Sequence, residues 1–408
     1  MEVPAPLTDA LPEPLFRRAV DLVTELTAIS SPSGDPAGLR RMAARLGDEL
    51  TARGLAVEIE EQAGEDGAPL PVLVARGPAA GRGDKLFIGH LDTVLPAAVP
   101  RIEGDRLVAT GAIDMKGGLA TFLAALDLLR HRGAALPADL LLVAVPDEEI
   151  GGALSRAAMP SWGATARSLW VLEPGEPAAG GAETLVAGRR GMFTWHLEVH
   201  GLAAHSGLHY WQGRSALIAA AGWCCEAEAR SERSGGPTVN VGRLVAGDSS
   251  FVEDLAARAS LLHSEQQLNV VPDLAVAAGE VRFLRAADGE RMAETLGSLA
   301  RNTGRDSETR LLLTLGETIP PVDPAGPHAA WCERAVELAA ARGWRLEVER
   351  ERGGISFPNF LPEPGRLPVL DGLGPVGDGM HTREEYVSLT SLARRIVLLA
   401  DLLTALSP

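Results

Sequence analysis

A strand that reads Leu140-Leu141-Leu142-Val143-Ala144-Val145 has no polar position to turn toward water, so both of its faces must be covered. Such a run belongs in the middle of a sheet with helices packed over it, and the flanking sequence supplies the helices. Helical periodicity spans residues 13–29, with Leu15, Val20, Leu22, Val23 and Leu26 apolar. Ser30-Ser31-Pro32-Ser33-Gly34 breaks it, and a second amphipathic helix follows to about residue 53. Strand-like runs at 56–59, 71–75 and 85–89 lead to a helix at 116–130, then to the buried run and a further one at 168–172. Strands alternating with helices predict an α/β fold with a mixed, largely parallel sheet covered by helices.

Near residue 188 the pattern changes. Residues 192–199 alternate, with Phe193, Trp195, Leu197 and Val199 on one face and polar side chains on the other. A helix at 214–230, strands at 237–245, 260–263 and 275–284, and a helix at 289–301 follow. The order β-α-β-β-α-β predicts a ferredoxin-like α+β unit. After residue 305 the α/β style returns and ends in an apolar helix at 387–406. The expected division is therefore 1–188 and 305–408 for the larger domain, with 189–304 inserted between them. A chain of 408 residues is long enough for two cores.

A formal net charge of -16 excludes a polyanion as the natural partner, since nucleic-acid binding needs clustered Lys and Arg. The pairs Arg17-Arg18 and Arg40-Arg41 fall on amphipathic helices and read as solvated faces. Cys224, Cys225 and Cys332 are odd in number, and the adjacent pair sits in an apolar helical run, so no disulfide framework is expected. Residues 1–14 carry no apolar signal core, and no apolar stretch is long enough to span a membrane. A cytoplasmic location with no membrane partner is the expectation.

Chemistry-bearing residues recur where strands give way to loops: His90-Leu91-Asp92, Asp114, Asp147-Glu148-Glu149, Glu173 and His381. In an open α/β sheet the carboxyl ends of the strands are where sites form. His90 and Asp92 are two apart and share a side of an extended chain, so Asp92 can orient a metal-ligating His90 through its other ring nitrogen, or cap a turn. Asp114, at a helix start, reads as an N-cap or as a carboxylate bridging two metals. Three consecutive acids repel, and a divalent cation relieves that repulsion, although a charged loop is the plainer reading. His381 lies beyond the smaller unit, which is why that unit must be an insertion.

These segments resemble the motifs of a zinc-dependent amidohydrolase and exopeptidase family, that of acetylornithine deacetylase, succinyl-diaminopimelate desuccinylase, aminoacylase-1 and glutamate carboxypeptidase. Asp371-Gly372-Leu373-Gly374-Pro375 is most similar to the glutamate carboxypeptidase branch. The resemblance covers nearly the whole chain and implies a zinc-exopeptidase-like fold whose inserted domain mediates dimerisation. It implies two Zn2+ ions (Co2+ or Mn2+ as other occupants), one held by His90, Glu173 and Asp114, the other by Glu149, His381 and the same Asp114. It implies Glu148 as general base, with Asp92 orienting His90. His205, in Gly201-Leu202-Ala203-Ala204-His205-Ser206-Gly207, would reach the partner's site in a homodimer and stabilise an oxyanion. Asn269, Arg282 and Ser356 would contact substrate, although a strand-edge amide and a solvated arginine are the bland readings of the first two.

The function so implied is hydrolysis of an amide in a small peptide or N-acyl amino acid with a free carboxylate. A deacylase of an N-acetyl or N-succinyl diamino acid is the alternative, and a metal-dependent binding protein without catalysis is a third reading. Three departures bear on the substrate: Phe357-Pro358 where relatives carry small or acidic residues, the aromatic Leu208-His209-Tyr210-Trp211-Gln212, and Ala109-Thr110-Gly111 before Asp114.

Overall fold

In the computed structural model, which describes residues 10–65, 67–81, 84–256 and 270–406, the run Leu140–Val145 is buried at every position. Asp84–His90 pairs with it in parallel on one side, and Ala166–Val171 pairs in parallel with Asp84–His90 in turn. The full sheet has six strands in the order Ala56–Ala63, Pro69–Arg76, Leu140–Val145, Asp84–His90, Ala166–Val171 and Val369–Leu370. Only the first two pairings are antiparallel. The three inner parallel strands therefore end at one edge, and 90–92, 147–149 and 173 leave the sheet there.

Helices cover this sheet because its inner strands offer no face to water, Asp84–His90 and Leu140–Val145 being buried at every position. Gly117–His131 is buried nearly all round and packs against Glu13–Ala28 and Leu389–Ala405. Phe87 stacks on Trp170 with ring centroids 5.1 Å apart, and Trp331 from Ala329–Ala341 tilts against the same indole. The helix Ala153–Thr165, with Pro160 inside it, had no clear periodic signal. A second, small antiparallel sheet has the order Gly377–Asp378, Tyr386–Ser388, Arg106–Val108, Arg101–Glu103. It lays the 379–385 loop beside the 109–114 loop, although Ile113 and Glu385 are 272 residues apart in sequence.

The chain divides into two compact units, Met1–Gly188 with Pro324–Arg352 and Ser356–Pro408, and Arg189–Asp323 with Gly353–Ile355. The smaller has a four-stranded antiparallel sheet in the order Thr238–Gly247, Leu274–Phe283, Gly191–His200, Arg310–Leu315. Phe193, Trp195, Leu197 and Val199 face the helices Ala216–Glu228 and Ala286–Ser307, and Trp195 meets Trp223 edge-on at 5.0 Å. The expected boundary at residue 304 is corrected here: the unit runs on to Asp323. Arg310–Leu315 is its last strand, and the leucines at 311 and 313 pack on the same core. That strand went unread because Leu312, at an exposed position between Leu311 and Leu313, breaks the apolar–polar alternation. The strand expected at 260–263 lies outside the described residues.

One buried ion pair ties the larger unit's last helix to its neighbours. Arg395 is 1% exposed; its Nε donates to Glu183 Oε2 at 2.8 Å, and its Nη1 and Nη2 donate to the carbonyls of Gly372 and Thr184, both at 2.9 Å. Truncating one partner of a buried pair strands the other's charge away from water. Replacement of Arg395 by Met should cost about 3–5 kcal/mol of stability, read as a lower urea midpoint with unchanged slope. A loss below about 1 kcal/mol would show that Arg394 and Ser391 suffice to hold Glu183.

Candidate metal centre

Four side chains meet around Asp114. His90, fully buried at the end of its strand, places Nε2 3.1 Å from Asp114 Oδ1 and 3.8 Å from Glu173 Oε1. His381 places its Nε2 3.4 Å from Asp114 Oδ2 and 3.2 Å from Glu149 Oε2. Asp114 thus turns one carboxylate oxygen toward each imidazole. His90, Asp114 and Glu149 offer ligand atoms that all lie within 4.8 Å of one another.

Each of these residues is held by local structure. His90 Nδ1 lies 3.0 Å from the carbonyl oxygen of Asp92 and 3.4 Å from its Oδ1, which leaves Nε2 to face the cluster. The Asp92 carboxylate also accepts the backbone N–H groups of Glu148 at 3.3 Å and Glu149 at 3.1 Å, and the Ser33 hydroxyl at 2.7 Å. It therefore anchors the acidic turn as well as the imidazole. Glu148 and Glu149 open a single 3-10 turn, while Asp147 is buried and accepts the N–H of Leu154 at 2.7 Å, capping the next helix. Glu173 follows its strand, and the Gly374 N–H donates to its carbonyl at 2.8 Å.

Two glycines allow the close packing. A Cβ on Gly118 would fall 2.0 Å from the Leu172 carbonyl oxygen, so only glycine lets this helix start beside the strand that carries Glu173. Gly379 has φ +77°, in the left-handed region, and His381 itself has φ +64°, which few non-glycine residues adopt. The turn is closed by Thr382, whose hydroxyl donates to the Gly379 carbonyl at 2.7 Å.

The electrostatics fit a cation site. Burial pushes the Glu149 carboxyl up to about 8, and the Asp114 and Glu148 carboxylates add to the shift. The hydrogen bond to Asp114 raises His381 to about 9. Burial opposes the protonated form of His90, yet Asp114 and Asp92 hold its pKa well above the ordinary imidazole value. Asp114 is driven the other way: against burial, its contacts with His381 and His90 keep it below the usual carboxylate range. Both imidazoles and the Glu149 carboxyl are shifted toward holding a proton, which relieves the repulsion among the packed carboxylates, and divalent cations relieve it in the same way. Two imidazoles with three carboxylates are also the donor types that zinc takes.

Two residues that matter here carried no signal in the sequence. Ser33 falls in the segment that breaks the first helix, and Glu385 in the stretch between His381 and the last helix, to which no role was given. Glu385 is 3% exposed and accepts backbone N–H groups from the 109–114 loop. Lys116 is likewise buried, donating to the Ile29 carbonyl at 2.7 Å, and burial lowers it to about 7 against the pull of Glu385 and Asp92.

The remaining expected residues are placed as follows. His205 is exposed on the smaller unit, and its Nδ1 accepts the N–H groups of Gly207 at 3.1 Å and Leu208 at 3.3 Å. That pattern puts its proton on Nε2. Arg282 is paired to both oxygens of Glu280 and donates to the Gly353 carbonyl at 2.6 Å. Ser356 is buried at the start of a short 3-10 turn. Asn269 lies outside the described residues. Among the described residues no helix is long and apolar enough to cross a membrane.

The sequence matches the profile of Peptidase family M20/M25/M40 over residues 86–405. It is 27% identical to carboxypeptidase G2 of Pseudomonas sp. (strain RS-16) over 405 residues, with 95% of this chain and 91% of the relative covered. It is 28% identical to succinyl-diaminopimelate desuccinylase of Gluconobacter oxydans (strain 621H), over 79% of this chain and 81% of that one. The fold is shared with the crystal structure of aminopeptidase PepT from Bacillus cereus, at a TM-score of 0.73 and 22% identity over 95% and 98% of the two chains. The family match spans both sides of the smaller unit and includes His90, Asp114, Glu149, Glu173 and His381. The chain belongs to peptidase family M20/M25/M40 and is a hydrolase acting on amide bonds.

Proposed function

We propose that the chain is a di-zinc hydrolase that cleaves an amide bond beside a free carboxylate, in a small peptide or an N-acyl amino acid. The observation that carries this reading is Asp114, whose two oxygens face His90 and His381 separately. His90 and Glu173 would complete one metal site with it, and Glu149 and His381 the other. Ions bound there would polarise the scissile carbonyl and lower the pKa of a water from about 15.7 toward about 7.

The side chains then have separate tasks. Glu148 is half-buried at the start of the 3-10 turn that also carries Glu149. It takes a proton from the attacking water and delivers it to the leaving nitrogen. Asp92 keeps His90 and the 148–149 turn in place. His205 of a second copy donates from Nε2 to the oxygen that gains charge in the transition state. Its tautomer supports this role, because Nδ1 is already engaged as an acceptor. Leu208 and Trp211, 74% and 88% exposed, support a homodimer formed near this segment.

Similarity to carboxypeptidase G2 and to a desuccinylase supports a substrate with a free carboxylate. The second reading, a deacylase of an N-acetyl or N-succinyl diamino acid, is favoured by the desuccinylase match alone. The same metal centre serves either, and Arg282 and Ser356 are assigned to substrate contact in both. A binding protein without catalysis would have no use for Glu148 beside a complete set of ligands.

Chelation should abolish hydrolysis of N-acyl amino acids, and added zinc should restore it; activity that survives chelation with no bound metal rules out the metal centre. Glu148→Gln should keep fold and zinc content while kcat falls about 10²–10⁴-fold. Near-normal turnover in that variant removes Glu148 as the base. Glu148→Gln and His205→Ala proteins should each be nearly inactive alone. Mixed and allowed to exchange subunits, they should recover activity, because one site of the hybrid then has both groups intact. Mixing without recovery argues against action across the dimer.

A further inference from the structure

Glu385 belongs to none of the roles above, yet it makes three charge-assisted hydrogen bonds under the cluster. Its Oε2 accepts the N–H of Gly111 at 2.8 Å, and its Oε1 accepts those of Ile113 at 3.0 Å and Asp114 at 3.1 Å. Its own carbonyl accepts the N–H of Ala109 at 2.9 Å, continuing the ladder in which Tyr386 pairs with Val108. The side chain therefore takes over where the strand pairing stops and gathers three further donors of the loop.

The choice of a carboxylate is costly for folding alone. Glu385 is nearly fully buried, and it sets a second negative group beside Asp114. A neutral amide or an ordered water would satisfy most of the same donors without that repulsion. What a neutral group would not do is hold three converging N–H groups as firmly, since bonds to an ionised acceptor are about twice as strong. The consequence is geometric. Glu385 lies four residues after His381, on the loop that carries that imidazole, and it grips the backbone of Asp114 itself. His381 is 55% exposed and gains little from packing. Its distance from Asp114 is set by how the two loops are fastened together.

We propose that Glu385 is a positioning residue that fixes the Asp114 loop against the His381 loop and so sets the affinity of the centre for divalent cations. This rests on reading the cluster as a metal centre.

The test compares zinc affinity, by competition with a chelator, and the melting temperature of the chelator-stripped protein, in wild type, Glu385→Gln, Glu385→Ala and Glu384→Gln. Glu384 is an exposed neighbour paired to Arg101 and controls for the charge change. In Glu385→Gln the amide group faces the Gly111 N–H, donor against donor, while the fold keeps its other contacts. Zinc affinity should fall about 10–100-fold in Glu385→Gln, with the stripped protein melting as wild type does and Glu384→Gln unchanged. Wild-type affinity in a folded Glu385→Gln protein overturns the proposal. So does collapse of the stripped fold in both Glu385 variants, which would make the residue structural only. Wild-type protein that takes up no zinc instead overturns the metal-centre reading on which the proposal rests.

Discussion

Carboxylates brought together in a protein repel one another, and the larger unit is arranged around holding several of them at one sheet edge. Parallel pairing of three inner strands puts their carboxyl ends side by side, so His90, Glu149 and Glu173 arrive at the same place from three separate segments. The strands can run parallel only because helices cover both faces, and helices can cover them only because runs such as Leu140–Val145 carry no polar residue. The apolar core and the charged cluster are thus two consequences of one topology. The core supplies rigidity, which keeps like charges from drifting apart.

Around that edge the backbone is fastened by acids that face away from the ligand cluster's centre. Asp92 gathers the N–H groups of Glu148 and Glu149 and the Ser33 hydroxyl; Glu385 gathers those of Gly111, Ile113 and Asp114. Both fasten turns that regular secondary structure cannot stabilise, since such loops leave their donors unpaired. The result is a site whose residues come mostly from strand ends and the turns and loops that follow, but whose precision comes from buried hydrogen bonds.

Much of this was legible before the structure. The alternation of Phe193, Trp195, Leu197 and Val199 identified a half-buried strand, and the structure buries those four side chains. Five of the six central strands were read from apolar runs, the two-residue strand Val369–Leu370 being too short to show one, and His90, Glu149 and Glu173 were read from polar residues ending such runs. Asp92 was only partly legible: spacing placed it beside His90, but its carboxylate also holds the 148–149 turn, a contact between segments 56 residues apart. Arg310–Leu315 escaped because leucine at alternate and intervening positions blurs a period of two. Glu385 and Ser33 escaped for another reason. A glutamate in a polar loop and a serine after a proline look the same whether they face water or backbone donors.

By itself the sequence determined most of the inner strands and their covering helices, and which residue types end them, because hydrophobic periodicity and turn chemistry are local properties. It also carried family membership, through motifs spread along the chain. Tertiary structure alone decided which oxygen of Asp114 faces which imidazole, and which buried acids serve the backbone instead of the cluster. Those are matters of distance between segments as much as 274 residues apart, and electrostatic interaction depends on distance in space, which no pattern of spacing along the chain records.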